Sequence, residues 1–446
     1  MKANTYHLWT IGCQMNEADA WRAAAMLEAA GYRPVEHARD AQFLLLSTCV
    51  VRQQAEDKIL SHLKYVEELK RAEPSRTVAL MGCFVGFRAD ARDELRARYP
   101  FVDLFMPPSA TGDLAAWLAA RAGTAPDAWP RDIGPEDFPE EPPPLPESLS
   151  GGRTVRAHLP VVLGCSHACA YCIIPYRRGP ERSRPAETVL AEARALAGRG
   201  IRELVLLGQI IDRYGLDLGP DAMRLPELLR RVAGIPGAKR VRFLTSHPNW
   251  ITPELVDTVA ATPNLMPYFE IPVQAGSDAV LAAMRRGYTA ARYEELVARI
   301  RERIPGVGIS TDLIVGFPGE TEAQFDETLD LMRRIDPDMI RVAKYSPRPM
   351  TLSARTMPDS VPPEEKERRR IAIETQLRAM LEAKHAPRLG RIEEILVERI
   401  EPNGRRYGRT PDGKPVFIDS CTASPGDLVR VKNTWTGAFS FIAEPA

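Results

Sequence analysis

At 446 residues the chain has room for two or three domains, each with its own core. A hydrophobic content of 44% with no apolar run near 18 residues argues against a membrane span, and seven cysteines, an odd number, argue against a disulfide framework. Lysine plus arginine and aspartate plus glutamate both number 59, so net charge carries no information about an RNA partner and any basic footprint has to be local. The opening Met1-Lys2-Ala3-Asn4 enters a strand-like run without a signal-peptide core, which predicts a cytoplasmic protein with no membrane partner.

Residues 1–124 repeat one pattern three times. The apolar run 6–13 ends in Cys13 and is followed by a helical stretch to about Ala30. The run 42–49 ends in Cys49 and precedes a helix to about Arg71; the run 77–83 ends in Cys83 and precedes a helix over 89–99. Strands alternating with helices predict a parallel sheet covered on both faces, with ligands bound beyond the carboxyl ends of its strands. Three cysteines at three strand ends would therefore converge on one edge. Position alone leaves a metal-ligand role and an ordinary buried thiol equally open. Residues 125–152, rich in Pro, Glu, Asp and Gly, read as an extended linker.

Residues 153–386 contain six strand candidates, 155–163, 203–207, 240–245, 268–273, 308–315 and 338–344, separated by helical segments. Six βα repeats are too few to close an eight-stranded barrel. The first strand runs into Cys165-Ser166-His167-Ala168-Cys169-Ala170-Tyr171-Cys172. Three soft thiolates in so short a loop can take three corners of a cubane iron–sulfur cluster and leave the fourth iron open to a chelating small molecule. Zinc would want four ligands closed around it, and His167, between two of the cysteines, is poorly placed to complete a tetrahedron. A charged helix over 364–385 follows, and residues 387–446 show short alternating runs separated by Asn403-Gly404, Asp412-Gly413 and Pro425-Gly426. These predict a small β-barrel of a type that binds RNA.

CxxxCxxC with an aromatic before the last cysteine, extended by Ile173-Ile174-Pro175-Tyr176-Arg177-Arg178-Gly179-Pro180-Glu181-Arg182-Ser183-Arg184, resembles the radical SAM methylthiotransferases. The resemblance covers nearly the whole chain and implies an α/β architecture of three parts. These are an N-terminal parallel α/β sandwich (1–124), a partial (β/α)6 radical SAM barrel (153–386) and a C-terminal TRAM-like β-barrel (387–446). It implies two 4Fe–4S clusters, one on Cys165, Cys169 and Cys172 and an auxiliary one on Cys13, Cys49 and Cys83, with S-adenosylmethionine (SAM) at the first. Tyr171, Gly208, Gln209, Gln274 and Asp312 are the implied SAM contacts. The family usually reads Gly-Gln-Asn-Val-Asn where this chain has Gly208-Gln209-Ile210-Ile211-Asp212, and more often has arginine at Pro180.

The implied reaction inserts sulfur and a methyl group at an unreactive C–H carbon. Cys13-Gln14-Met15-Asn16 points to the branch that modifies C2 of N6-isopentenyladenosine beside the anticodon of tRNA. Sister branches act on threonylcarbamoyladenosine of tRNA or on a ribosomal-protein aspartate. An RNA-binding protein with structural metal clusters, or a zinc-binding regulator, is the non-enzyme alternative. Expected partners are the tRNA anticodon stem-loop, an electron donor such as flavodoxin or ferredoxin, and a sulfur source, with the chain a monomer. Arg177, Arg178, Arg182 and Arg184, and around the first C-terminal hairpin Arg405, Arg406, Arg409 and Lys414, are the candidates for RNA phosphates. Cys421 matches no ligand motif and reads as a core or strand-end thiol; His247 is family-like without a legible role.

Overall fold

The computed structural model describes residues 4–51, 53–123, 146–147 and 154–446. The expected linker, 125–152, lies outside the described residues except for Pro146 and Glu147. The chain divides into two compact units. The first takes the described part of 1–150 with 158–167 and 172–196; the second takes the described part of 151–157 with 168–171 and 197–446.

The first unit is built on a five-stranded sheet of β1 (Thr5–Thr10), β2 (Arg33–Pro34), β3 (Phe43–Thr48), β4 (Thr77–Gly82) and β5 (Leu104–Met106), in the order β2-β1-β3-β4-β5. Every pairing is parallel. Successive strand residues face opposite ways, and both faces are covered. Leu44, Leu46, Val78 and Leu80 pack with Ile59, Leu63 and Val66 of the helix Gln53–Ala72. Phe43, Leu45, Ala79 and Met81 pack on the other side with Met26, Leu27, Leu114 and Leu118. Burying each such leucine contributes roughly 1.5–3 kcal/mol, which is why β3 and β4 read as unbroken apolar runs. The three expected strands are β1, β3 and β4. The edge strands β2 and β5 were too short to show a period.

The expected strand 155–163 is divided into β6 (Arg156–Pro160) and β7 (Val162–Leu163). β7 turns away to pair antiparallel with β8 (Arg182–Ser183), forming a two-stranded ribbon that brackets the cysteine loop. Beyond it come β9 (Glu203–Leu207), β10 (Arg240–Leu244), β11 (Tyr268–Glu270), β12 (Gly308–Val315) and β13 (Met339–Lys344). Their sheets run β10-β9-β6 and β11-β12-β13. Val241 bridges Leu265, and Ser246 N–H donates to Glu270 O at 2.9 Å, so the strands follow one another in chain order as an open arc. The helix Pro363–His385 covers β13.

Strands β14 (Ile392–Ile400), β15 (Arg406–Arg409), β16 (Pro415–Ile418), β17 (Leu428–Thr436) and β18 (Phe441–Pro445) close a barrel in the order β14-β15-β16-β18-β17. Ile395, Val397, Val416, Ile418, Val431 and Phe441 fill it. Cys421, half-buried just past the end of β16, packs against that core. The sequence Arg-Tyr-Gly-Arg of β15 carries no apolar period, which hid this strand from sequence reasoning. The barrel clusters within the second unit, and its contacts give the reason: Arg240 donates to Arg409 O and Glu394 O, and Arg242 donates to Thr410 O. No helix among the described residues is long and apolar enough to cross a membrane.

Candidate active site and metal centres

Cys13, Cys49 and Cys83 follow β1, β3 and β4, which are neighbours in the sheet, and so leave its carboxyl edge side by side. Cys13 is the N-cap of the helix Gln14–Ala29, and its carbonyl accepts from Asn16 N–H at 2.9 Å. Gly12 (φ +135°) brings the turn in so closely that a Cβ there would stand 2.7 Å from Cys49 Cβ. The Asn16 amide donates to Ile11 O at 3.0 Å and Thr48 O at 2.7 Å, tying the ends of β1 and β3 together. Cys83 N–H donates to Thr48 O at 3.0 Å, which completes the chain of contacts.

Cys49 and Cys83 are buried and Cys13 is exposed. Burial pushes the Cys49 thiol up to about 12, with Cys83 and Cys13 adding to the shift. Burial also raises Cys83, against the pull of Arg178. Three thiols on neighbouring strand ends, two of them buried, form a donor set suited to iron–sulfur. Among the described residues no group of three or more His, Cys, Asp and Glu is arranged to hold a metal ion as it stands. The fit of a cluster therefore rests on the donor set and its surroundings, not on a preformed cage.

The second triad sits in one loop after β7. Cys165 is buried, while Cys169 and Cys172 are half-buried. Cys165 N–H donates to Gly179 O at 3.0 Å, and His167 N–H points at Cys165 Sγ at 3.4 Å. Ala170, between Cys169 and Tyr171, is held on both sides: its N–H donates to Met284 O at 3.0 Å and its carbonyl accepts from Ser353 N–H at 2.8 Å. Arg286 is buried and donates from Nη1 to Cys169 Sγ at 3.3 Å, from Nε to Tyr288 Oη at 2.9 Å and from Nη2 to Pro272 O at 2.8 Å. Burial disfavours its charge, but Tyr171, Tyr288 and Cys169 more than offset this and raise its pKa. Sequence reasoning missed Arg286, since nothing in Arg285-Arg286-Gly287 distinguishes it from a solvated pair.

At the carboxyl ends of the arc, Gly208 is buried and Gln209 half-buried after β9. Thr245 (φ +69°) and Gln274 (φ +81°) hold left-handed backbone at the end of β10 and just past β11. Such conformations cost about 1–3 kcal/mol each and cluster at working sites. Gln274 is fixed by its N–H to Asp312 O and its carbonyl from Ile314 N–H, both 2.9 Å, beside Asp312, whose carboxylate meets Arg341 at 3.4 Å. The strand ends thus bring Gln274 and Asp312 together.

Asp212, where the family has asparagine, accepts from Ser246 Oγ at 2.8 Å and His247 N–H at 2.7 Å. Burial pushes its carboxyl up to about 7 from an ordinary 3.8. Between those values the folded chain keeps a proton that the unfolded chain releases, so stability falls as pH rises and the loss is complete above about 7. Asp212→Asn is expected to be more stable than the parent by a margin that grows from about pH 4 to about pH 7 and then levels off, at a few kcal/mol at most. Thermal unfolding at pH 4, 6 and 8 checks this; a margin that does not change with pH would refute the buried-carboxyl account.

The arginines expected at RNA divide into two groups. Arg177 and Arg182 are half-buried, and Arg177 Nη1 reaches Phe84 O at 3.4 Å. Arg184 is corrected: it is 1% exposed, paired with Glu192 at 2.6 Å and donating to Pro160 O, so phosphate cannot reach it. Arg178 is likewise buried, with its guanidinium on Cys83 and Asp19. Lys414 is corrected for the same reason, being 5% exposed and donating to Asp338 O at 2.6 Å. Arg409 is taken up by Glu398 at 3.0 Å. Arg405 pairs with Asp419 at the surface, and Arg406 donates to Ala423 O and Gly404 O.

Comparison with known proteins agrees with this layout. The radical SAM superfamily matches residues 159–332, the TRAM domain matches 388–436, and an uncharacterized protein family, UPF0004, matches 5–107. A protein of Roseiflexus sp. (strain RS-1) named tRNA-2-methylthio-N(6)-dimethylallyladenosine synthase is 43% identical over 98% of this chain and 88% of its own. Proteins of the same name from Chloroflexus aurantiacus and Dehalococcoides mccartyi are each 42% identical, over 99% and 96% of this chain and 91% and 95% of theirs. Among solved structures, the radical SAM methyltransferase TsrM from Kitasatospora setae superposes with a TM-score of 0.54 at 16% identity, covering 79% of this chain and 77% of that one. The cobalamin-dependent SAM radical enzyme OxsB gives 0.53 at 13% identity, covering 84% and 56%. Both likenesses concern the fold alone. Two cysteine triads at strand ends, an open parallel arc and full-length relatives of one name lead to one conclusion: the chain belongs to the tRNA-2-methylthio-N(6)-dimethylallyladenosine synthases, a family of radical SAM tRNA methylthiotransferases.

Proposed function

We propose that this chain adds a methylthio group at C2 of N6-isopentenyladenosine, the adenosine beside the anticodon of tRNA. The observation that carries the reading is the identity of 43% over 98% of the chain to a relative named for that product. Membership of the radical SAM superfamily implies a 4Fe–4S cluster and SAM. The finer reading has two clusters, one on Cys165, Cys169 and Cys172 and one on Cys13, Cys49 and Cys83. When bound, such clusters supply an electron for homolysis of SAM and a site for sulfur.

The chain's own residues do the holding. The ribbon and Gly179 O fix Cys165, Met284 and Ser353 fix the loop about Ala170, and Arg286 fixes Cys169. Gly208, Gln209, Gln274 and Asp312, with Tyr171 on the loop, are proposed to orient SAM at the carboxyl ends of the arc. Among the basic residues, Arg177, Arg182, Arg405 and Arg406 remain the proposed phosphate contacts. The same reading divides the chain at 1–124, 125–152, 153–386 and 387–446. It makes the protein a cytoplasmic monomer that draws electrons from a flavodoxin or ferredoxin and sulfur from a separate source.

Nucleosides from tRNA of cells with and without the gene, measured by mass spectrometry, test this. The expected result is loss of the methylthio group from isopentenyladenosine, with the isopentenyl form accumulating. Loss from threonylcarbamoyladenosine would move the chain to the sister branch, and an unchanged tRNA profile would point to the ribosomal-protein aspartate.

A further inference from the structure

Arg178 lies six residues past Cys172, at the end of the short helix Ile174–Arg178. Its place in a run of four arginines suggests a solvated hand for RNA. Instead the guanidinium is inside the first unit, and its fork is spread over Cys83 of the other triad and three polar neighbours. Nε donates to Cys83 Sγ at 3.2 Å, Nη2 to Asn16 Oδ1 at 2.6 Å, and Nη1 to Asp19 Oδ2 and Ser109 Oγ, each at 3.2 Å. The side chains of Arg178 and Asp19 are 2% and 1% exposed. Asn16 passes the contact on to Ile11 O and Thr48 O, beside the strand ends that carry Cys13 and Cys49.

A buried ion pair is a poor device for stability alone, because well-packed apolar side chains hold a fold as well without the cost of desolvation. Beside a sulfur ligand the same guanidinium has a specific effect. A cubane held by three thiolates is anionic, and both a nearby positive charge and an N–H···S hydrogen bond favour its reduced form. We infer that Arg178 is a positioning residue of the auxiliary centre, which fixes Cys83 and raises the reduction potential of the cluster there. This rests on the reading that Cys13, Cys49 and Cys83 hold a cluster. The other triad has its own guanidinium, Arg286 on Cys169. The two effects are therefore separable.

The test uses the full chain reconstituted anaerobically with iron and sulfide, and a redox titration followed by electron paramagnetic resonance. Cys165→Ala/Cys169→Ala/Cys172→Ala, which removes the loop triad and keeps the auxiliary one, assigns the signals. Arg178→Gln is expected to move the auxiliary midpoint to a more negative potential and leave the radical SAM midpoint where it is. Arg178→Lys, which keeps the charge without the fork, shifts it less. Arg178→Gln/Asp19→Asn keeps the pocket neutral, so it reports on the lost sulfur hydrogen bond where the single variant is destabilised, with a smaller shift of the same sign. An auxiliary midpoint unmoved in both glutamine variants would overturn the inference. A parent protein that binds the iron of one cluster only would overturn the auxiliary-cluster reading itself.

Discussion

Cys169→Ala is expected to abolish reductive cleavage of SAM, while Cys49→Ala leaves cleavage intact and ends methylthiolation. Each cysteine of a site-differentiated cubane holds one iron, so removing one leaves the cluster two protein ligands and no defined open corner. At Cys169 the change also strips Arg286 of its sulfur partner at 3.3 Å, leaving a buried cation short of an acceptor. Cys49 belongs to a different place. It follows β3 in the N-terminal sheet, between the strands that carry Cys13 and Cys83. Its loss therefore breaks the auxiliary donor set alone. Chromatographic measurement of 5′-deoxyadenosine with dithionite as reductant, together with iron content and nucleoside analysis of treated tRNA, separates the cases. SAM cleavage by Cys169→Ala at the parent's rate would remove that triad from the chemistry. Full methylthiolation by Cys49→Ala would remove the other.

What could be read in the sequence followed from short-range rules. Phe43–Thr48 shows as a strand because both its faces are buried, and an apolar run ending in a cysteine, three times over, puts three thiols on one sheet edge whatever the details of packing. CxxxCxxC fixes its own geometry by chain length. Hidden were the features decided by the partner across the fold. Arg178 and Arg184 stand in one basic run, and only the tertiary structure places Cys83 against the first and Glu192 against the second. Lys414 looked like surface charge beside a hairpin, but Asp338, 76 residues earlier, takes it inside. An arginine reads the same in sequence whether water or a buried sulfur faces it. That is why the cysteines could be named in advance and the guanidinium groups around them could not.

Gly164→Ala is expected to empty the radical SAM site while sparing the auxiliary one. Gly164 precedes Cys165 with φ +66°, and a Cβ there would stand 2.0 Å from Pro180 O and 2.7 Å from Gly179 O. Both obstacles are backbone, so no side chain can swing aside. Relief requires either a change of φ at residue 164 or separation of the ribbon that pairs Val162 with Ser183 and Leu163 with Arg182. Either movement carries Cys165 away from Gly179 O, which its N–H now meets at 3.0 Å. Left-handed strain alone costs an alanine about 1–2 kcal/mol and would leave the loop in place. Gly31→Ala supplies that comparison, because Gly31 also has positive φ (+82°) but open space around its Cβ. Gly31→Ala is expected to lose about 1 kcal/mol of stability and keep the iron of both clusters. Gly164→Ala is expected to bind the iron of one cluster, to lose SAM cleavage and to keep the auxiliary signal in electron paramagnetic resonance. If Gly164→Ala instead kept full iron and full SAM cleavage, the close approach of the ribbon would not be what seats Cys165.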